Sequence, residues 1–150
     1  LIALTSTSDR NFDPSWSPDG NRVVYVNSSG YHTADIYTVP AGGGEREQLT
    51  DFDADDVLPV YSPDGKYIAW SSDAAGNFDI WIMNADGTGH KNLTADPAFD
   101  SRPYWSPDGK EMVFVSDRSG ELQLWIMDID GEVRQLTSGP PSMDPAWLRR

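Results

Sequence analysis

Three stretches of the chain are apolar almost without interruption: Val23-Val24-Tyr25-Val26, Ile68-Ala69-Trp70-Ser71 and Met112-Val113-Phe114-Val115. A second set reads the same way, at Ile36-Tyr37-Thr38-Val39, Ile80-Trp81-Ile82-Met83 and Leu124-Trp125-Ile126-Met127. A strand with one wet face alternates with period two, so these continuous runs predict strands covered on both faces. Each first-set strand is preceded by Ser-Pro-Asp-Gly, at 17–20, 62–65 and 106–109. Pro there supplies a φ near −65° and Gly a positive φ, which is hairpin-turn chemistry, and it predicts a further strand around Trp16, Tyr61 and Trp105. A second reversal follows at 41–44, 85–89 and 130–131, and a fourth strand ends in Leu-Thr.

These elements recur. The Ser-Pro-Asp-Gly copies begin at 17, 62 and 106, and Leu-Thr pairs begin at 4, 49, 93 and 136. A Pro followed two residues later by an aromatic stands at Pro14/Trp16, Pro59/Tyr61, Pro103/Trp105 and Pro145/Trp147. Three independent markers share one period, so the unit is a four-stranded antiparallel sheet repeated about every 44 residues. Such sheets cover one another by stacking around an axis, which is a β-propeller. The short connections at Pro-Asp-Gly leave no room for crossover helices, and a β-sandwich needs neither continuous apolar strands nor so regular a period.

Composition narrows the function classes. The 24 acidic against 11 basic residues give a net charge of −13, which repels phosphate and disfavours a nucleic-acid partner. The absence of cysteine excludes disulfides, thiolate metal sites and a thiol nucleophile. No apolar run approaches the ~20 residues that span a bilayer as a helix.

The string Pro103-Tyr104-Trp105-Ser106-Pro107-Asp108-Gly109, with Ser116-Asp117-Arg118-Ser119-Gly120, Leu124-Trp125-Ile126-Met127 and Leu136-Thr137, resembles the WD40-like repeat of TolB-type propeller proteins. The resemblance extends over nearly the whole chain. It implies blades at about 13–50, 57–94 and 102–137, with single flanking strands at 1–5 and 144–148. Three blades do not close an ordinary ring, and TolB-like propellers usually have six. The chain is therefore expected to be either part of a longer polypeptide or half of a six-bladed homodimer. The resemblance further implies a non-catalytic module for protein or peptide partners, such as a Pal-like lipoprotein, working in the periplasm or outside the cell. Similar repeats in prolyl-oligopeptidase-like peptidases supply the alternative, a propeller whose catalytic domain lies outside this chain.

Catalytic, cofactor and metal constellations are not expected from the residues. Asp19, Asp64 and Asp108 sit within turns, where Asp caps its own backbone. Asp51, Asp53, Asp55 and Asp56 open like a calcium loop, but Asp56 stands where Gly is needed and Ser62 where the bidentate Glu is needed. His32 and His90 fall in loops expected on opposite faces of the ring, and no Gly-x-Ser-x-Gly elbow occurs. A binding face is the better expectation. The loops after the fourth strands and between the second and third strands share one face, gathering Asp9, Arg10, Phe12, Asp53, Asp55, Asp56, Phe99, Asp100, Arg102 and Arg118. Arg10, Phe12, Asp56, Phe99, Arg102 and Arg118 are the expected partner anchors, since Arg and aromatics dominate protein interfaces.

Overall fold

A computed structural model describes residues 3–5, 10–28 and 33–145. Among them the chain is all β, in three antiparallel sheets of four strands each, every sheet ordered as a simple meander. The first comprises β1 (Arg10–Trp16), β2 (Arg22–Ser28), β3 (Asp35–Pro40) and β4 (Glu47–Gln48). The second comprises β5 (Asp56–Tyr61), β6 (Tyr67–Ser72), β7 (Asp79–Asn84) and β8 (Lys91–Asn92). The third comprises β9 (Asp100–Trp105), β10 (Glu111–Ser116), β11 (Gln123–Asp128) and β12 (Val133–Gln135). These are propeller blades, with β1, β5 and β9 adjacent along a common axis.

The turns form as their residues dictate. Gly20, Gly65 and Gly109 adopt φ of 73°, 72° and 70°, and each donates its N–H to the carbonyl of the Ser three residues earlier. The Ser hydroxyl donates to the turn Asp, over 2.6 Å at Asp19, 2.7 Å at Asp64 and 2.8 Å at Asp108. The same hydroxyl oxygen accepts the N–H that opens the next strand, at Arg22, Tyr67 or Glu111.

Alternation along the strands gives every sheet two unlike faces. Ile68 and Trp70 of β6, with Trp81 and Met83 of β7, meet Val24, Ile36 and Leu49 of the first sheet. Ala69, Ile80 and Ile82 point the other way, onto Met112, Phe114, Met127, Trp105 and Trp125 of the third. Each junction thus sets an aromatic face against an aliphatic one, and the stack has a direction. The remaining aromatic face, on the first sheet, carries Tyr25 and Tyr37 with Val23 and Val39, and Leu4 packs on it. Among the described residues the first and third sheets do not touch.

Strands begin at Arg10, Asp56 and Asp100, before the expected 13, 57 and 102, because the ladder continues across a bulge in each innermost strand. Residues 3–5 and 144–145 form no strand, and the rest of the two expected flanking strands lies outside the described residues.

Candidate functional site

Each innermost strand contains a residue followed by Pro: Asp13-Pro14, Leu58-Pro59 and Arg102-Pro103. Pro has no N–H to give to the ladder and discourages the right-handed helical region in the residue before it. The pairing shifts there in all three sheets, and Asp13, Leu58 and Arg102 take left-handed φ of 49°, 58° and 59°. Three non-glycine residues in that region, at one repeat position, are held by their surroundings, and bulges of this kind re-aim side chains. The Arg102 N–H, for example, donates to Ser71 Oγ of the neighbouring sheet over 3.1 Å.

The re-aimed residues converge on one mouth of the axis. Asp13, Leu58 and Arg102, the three prolines, and Asp144-Pro145 line a cavity of about 360 Å³ together with Ser15, Val60 and Tyr104. Asp144-Pro145 occupies the same repeat position as Asp13-Pro14. The Arg102 guanidinium lies 3.5 Å from the Asp144 carboxylate, both side chains being largely open to solvent. A larger cavity of about 660 Å³ continues along the axis between Trp16, Tyr61, Tyr104 and Trp105. A solvent-facing cation beside an exposed tyrosine and a leucine suits a carboxylate-bearing peptide or protein loop.

The expected anchors separate into two groups. Arg10, Phe12, Phe99 and Arg102 are exposed, with Phe99 set edge-on to Phe78 at 5.7 Å. Phe12 borders a different cavity, on the outer face of the first sheet, so it does not join Arg102 at the axial mouth. Asp56 and Arg118 form the second group and turn toward the interior. Asp56 is fully buried, and its Oδ1 accepts the Trp70 indole N–H over 2.9 Å. Burial pushes its carboxyl up, against the opposing pull of the Ser72 and Thr50 hydroxyls and the indole. The buried Asp100 takes a 2.7 Å bond from Arg118, whose guanidinium also lies over Phe114 and Trp125 at 5.4 and 5.1 Å from the ring centres. Burial raises the Asp100 carboxyl too, offset by Ser116, Arg118 and Thr94. The recurrence of a polar residue at 11, 56 and 100, with a polar partner at 27, 72 and 116, was the available signal for this role.

The loops after β4 and β8 share a face with those between β6 and β7 and between β10 and β11. Asp55 N–H donates to Asp73 Oδ1, Phe99 N–H to Asp117 Oδ1, and Asn77 Nδ2 to the carbonyls of Asp96 and Ala98. Among the described residues no group of three acidic or histidine side chains is arranged to hold a metal ion, and Asp56 turns inward from Asp51, Asp53 and Asp55. His90 joins two blades: its Nε2 is 3.0 Å from the Leu49 carbonyl, and its ring stands edge-on to Phe52 and Trp70. His32 and Asp9 lie outside the described residues.

The profile of the TolB beta propeller domain matches residues 2–148. The chain is 36% identical over 67 residues to the Uncharacterized peptidase YuxL of Bacillus subtilis, which is 45% of this chain and 10% of that protein. It is 34% identical over 69 residues to the Tol-Pal system protein TolB of Alcanivorax borkumensis, 46% of this chain and 16% of that one. The crystal structure of TolB from Acinetobacter baumannii superposes with a TM-score of 0.78 at 32% identity, covering 90% of this chain and 34% of that one. The chain thus spans about a third of the length of these proteins, or less.

Proposed function

The chain belongs to the TolB beta propeller domain family, and from that premise we propose that it is a non-catalytic binding module for protein or peptide partners. The observation that carries this reading is the axial mouth, where three bulged strands turn Asp13, Leu58 and Arg102 toward one opening. A Pal-like lipoprotein is the partner proposed first, on the strength of the Tol-Pal relatives, and the periplasm or the cell exterior is the proposed place of work. Arg102 and Tyr104 are the proposed anchors, with Arg10, Phe12 and Phe99 on the surrounding surface. Titration calorimetry with the soluble domain of a Pal-type lipoprotein tests it. Binding is expected, weakened about tenfold or more by Arg102→Glu. No binding by the unaltered chain removes the Pal assignment, and binding indifferent to Arg102→Glu moves the site away from the axial mouth.

The YuxL similarity supports a second reading, in which these blades gate a hydrolase domain elsewhere on a longer polypeptide. A Gly-x-Ser-x-Gly elbow followed by Asp and His in the continuing reading frame supports that reading. Continuation into further propeller repeats alone refutes it. The binding reading also includes self-association, since two copies supply six sheets.

A further inference from the structure

The two junctions inside the stack differ where the Ser-Pro-Asp-Gly turns meet. Between the first and second sheets the polar groups answer one another: the Tyr61 hydroxyl lies 3.3 Å from Thr38 Oγ1, to which Arg22 Nε also donates over 3.1 Å, and Arg22 pairs with Glu47. At the same repeat positions the junction between the second and third sheets carries Trp105, Ile82 and Tyr67. An indole stands in place of the phenol, an alkyl group in place of its partner, and a phenol in place of the cation. The result is a buried indole N–H at Trp105 with no acceptor among the described residues, on a side chain only 8% exposed. An unpaired buried donor is costly, and a bound acceptor that reaches it removes the cost.

The turns also stand further apart there. A β-carbon at Gly65 would lie 3.2 Å from Pro18 Cγ, whereas one at Gly109 would lie 3.5 Å from Pro63 Cδ. Between the second and third sheets opens a cleft of about 320 Å³, walled by Pro63, Tyr67, Trp105, Pro107 and Ile129, with Asp108 beside them. Tyr67 and Ile129 are open to solvent, and Pro63, Trp105 and Pro107 continue into the axial cavity beside Tyr61 and Tyr104. The cleft lies at the turn end of the innermost strands, opposite the mouth that holds Arg102. Its turns are largely occupied with themselves. The Ser62 hydroxyl donates to Asp64 Oδ1 and accepts the Tyr67 N–H, and Asp64 Oδ2 takes the Lys66 ammonium at 3.0 Å. Asp108 Oδ1 accepts from the Ser106 hydroxyl and the Lys110 N–H, and Asp108 forms no ion pair among the described residues.

The wall thus offers aromatic and prolyl surface, an unpaired donor and a carboxylate without a counter-charge. A saccharide brings many hydroxyl donors and finds few free acceptors in such a wall. A proline-rich segment brings carbonyl acceptors, few N–H groups and rings that pack on Trp and Tyr, and it is already extended before it binds. We propose that this cleft is a second peptide site whose occupant is a proline-rich segment with a neighbouring arginine or lysine. Its prolines pack against Tyr67, Trp105 and Pro107, a peptide carbonyl accepts the Trp105 N–H, and the cation pairs with Asp108. The site stands apart from the axial mouth and does not rest on the partner proposed there.

Fluorescence anisotropy of a labelled, end-blocked proline-rich peptide with one central arginine, titrated with the full chain, tests it. Saturable binding below millimolar concentration is expected. Trp105→Phe keeps an aromatic ring and removes the donor, Tyr67→Ala removes an exposed wall, and each should raise the dissociation constant about tenfold or more. Asp108→Asn, which keeps an acceptor for the turn, should weaken the arginine peptide and leave an all-proline peptide unchanged. Arg102→Glu should leave both unchanged. Thermal melts check the fold of each variant, and Tyr67→Ala, at an exposed position, reads the site even where Trp105→Phe fails to fold. No binding at millimolar concentration, or equal binding of an analogue with alanine for proline, overturns the proposal. Binding indifferent to both Trp105→Phe and Tyr67→Ala, or lost in Arg102→Glu, places the peptide elsewhere and overturns the site. Displacement of the peptide by cellohexaose assigns the cleft to a saccharide and overturns the peptide as its occupant.

Discussion

At the scale of single residues, the three repeats solve one problem in three ways. One repeat position near the start of the innermost strand carries Asn11, partly buried, or the buried Asp56 and Asp100, and the aromatic on the next strand is Tyr25, Trp70 or Phe114. Trp70 can donate to Asp56. Phe114 has no donor, and in that sheet Arg118 reaches across it to Asp100. In the first repeat the pair is neutral, Asn27 Nδ2 donating to Asn11 Oδ1 over 2.9 Å. Arg118→Ala is therefore expected to destabilise by about 3–5 kcal/mol, by leaving the buried Asp100 carboxylate without its counter-charge. Asp100→Asn combined with Arg118→Met should recover most of that in urea unfolding. Equal losses in the single and double variants would show that the ion pair is not what Arg118 supplies. Acid titration probes a second group. Burial and the nearby charges of Asp56 and Asp51 raise Asp35 to about 6. The folded state then holds a proton that the unfolded chain releases near 3.8, so stability falls as pH rises from about 4 through 6 and is regained on acidification to about 4. Below about 4 the sign reverses, because hydrogen bonds hold the turn carboxyls low, Asp64 at about 2. The melting temperature should peak near about pH 4, and Asp35→Asn should flatten the slope between about 4 and 6. An unchanged slope in that variant would place the titration elsewhere. None of these buried charges could be recognised from local sequence: Asp56 meets Trp70 from 14 positions away, and a charged residue beside a loop reads as exposed.

At the scale of elements, the turns and strands were legible because their causes are local. Ser, Pro, Asp and Gly in that order determine the reversal, and period-two alternation determines the two faces. What stayed hidden was contact between repeats, such as Pro18 against Gly65. Alanine at Gly20 faces only the left-handed backbone, a cost of about 1–2 kcal/mol. At Gly65 the same change also pushes on Pro18 and should cost measurably more in thermal unfolding. Equal losses would mean that the turn-to-turn contact carries no weight. Trp70, fully buried between two sheets, should lose about 3–5 kcal/mol on replacement by Ala, and Trp125, only partly buried, less. The axial mouth was half legible. The X-Pro pairs are plain in the sequence, but that Asp13, Leu58 and Arg102 turn left-handed toward one opening depends on ladder register, which no single repeat displays.

At the scale of the whole molecule, each sheet touches only its sequence neighbours, so stability is close to a sum of sheets and junctions. The middle sheet has a junction on both faces and the outer two have one each. Hydrogen exchange should therefore be slowest in β6 and β7 and faster in the corresponding strands of the first and third sheets. Uniform protection across all three would indicate a single cooperative unit. The unlike faces also make each repeat a connector with a plug on one side and a socket on the other. Growth by tandem copying then needs no redesign: a duplicate of residues 57–100 inserted after position 100 brings its own aromatic plug for the existing socket and offers a fresh socket to the repeat that follows. A library of such insertions should tolerate whole repeats in phase and reject half repeats, as a chain of couplings accepts another carriage but not half of one.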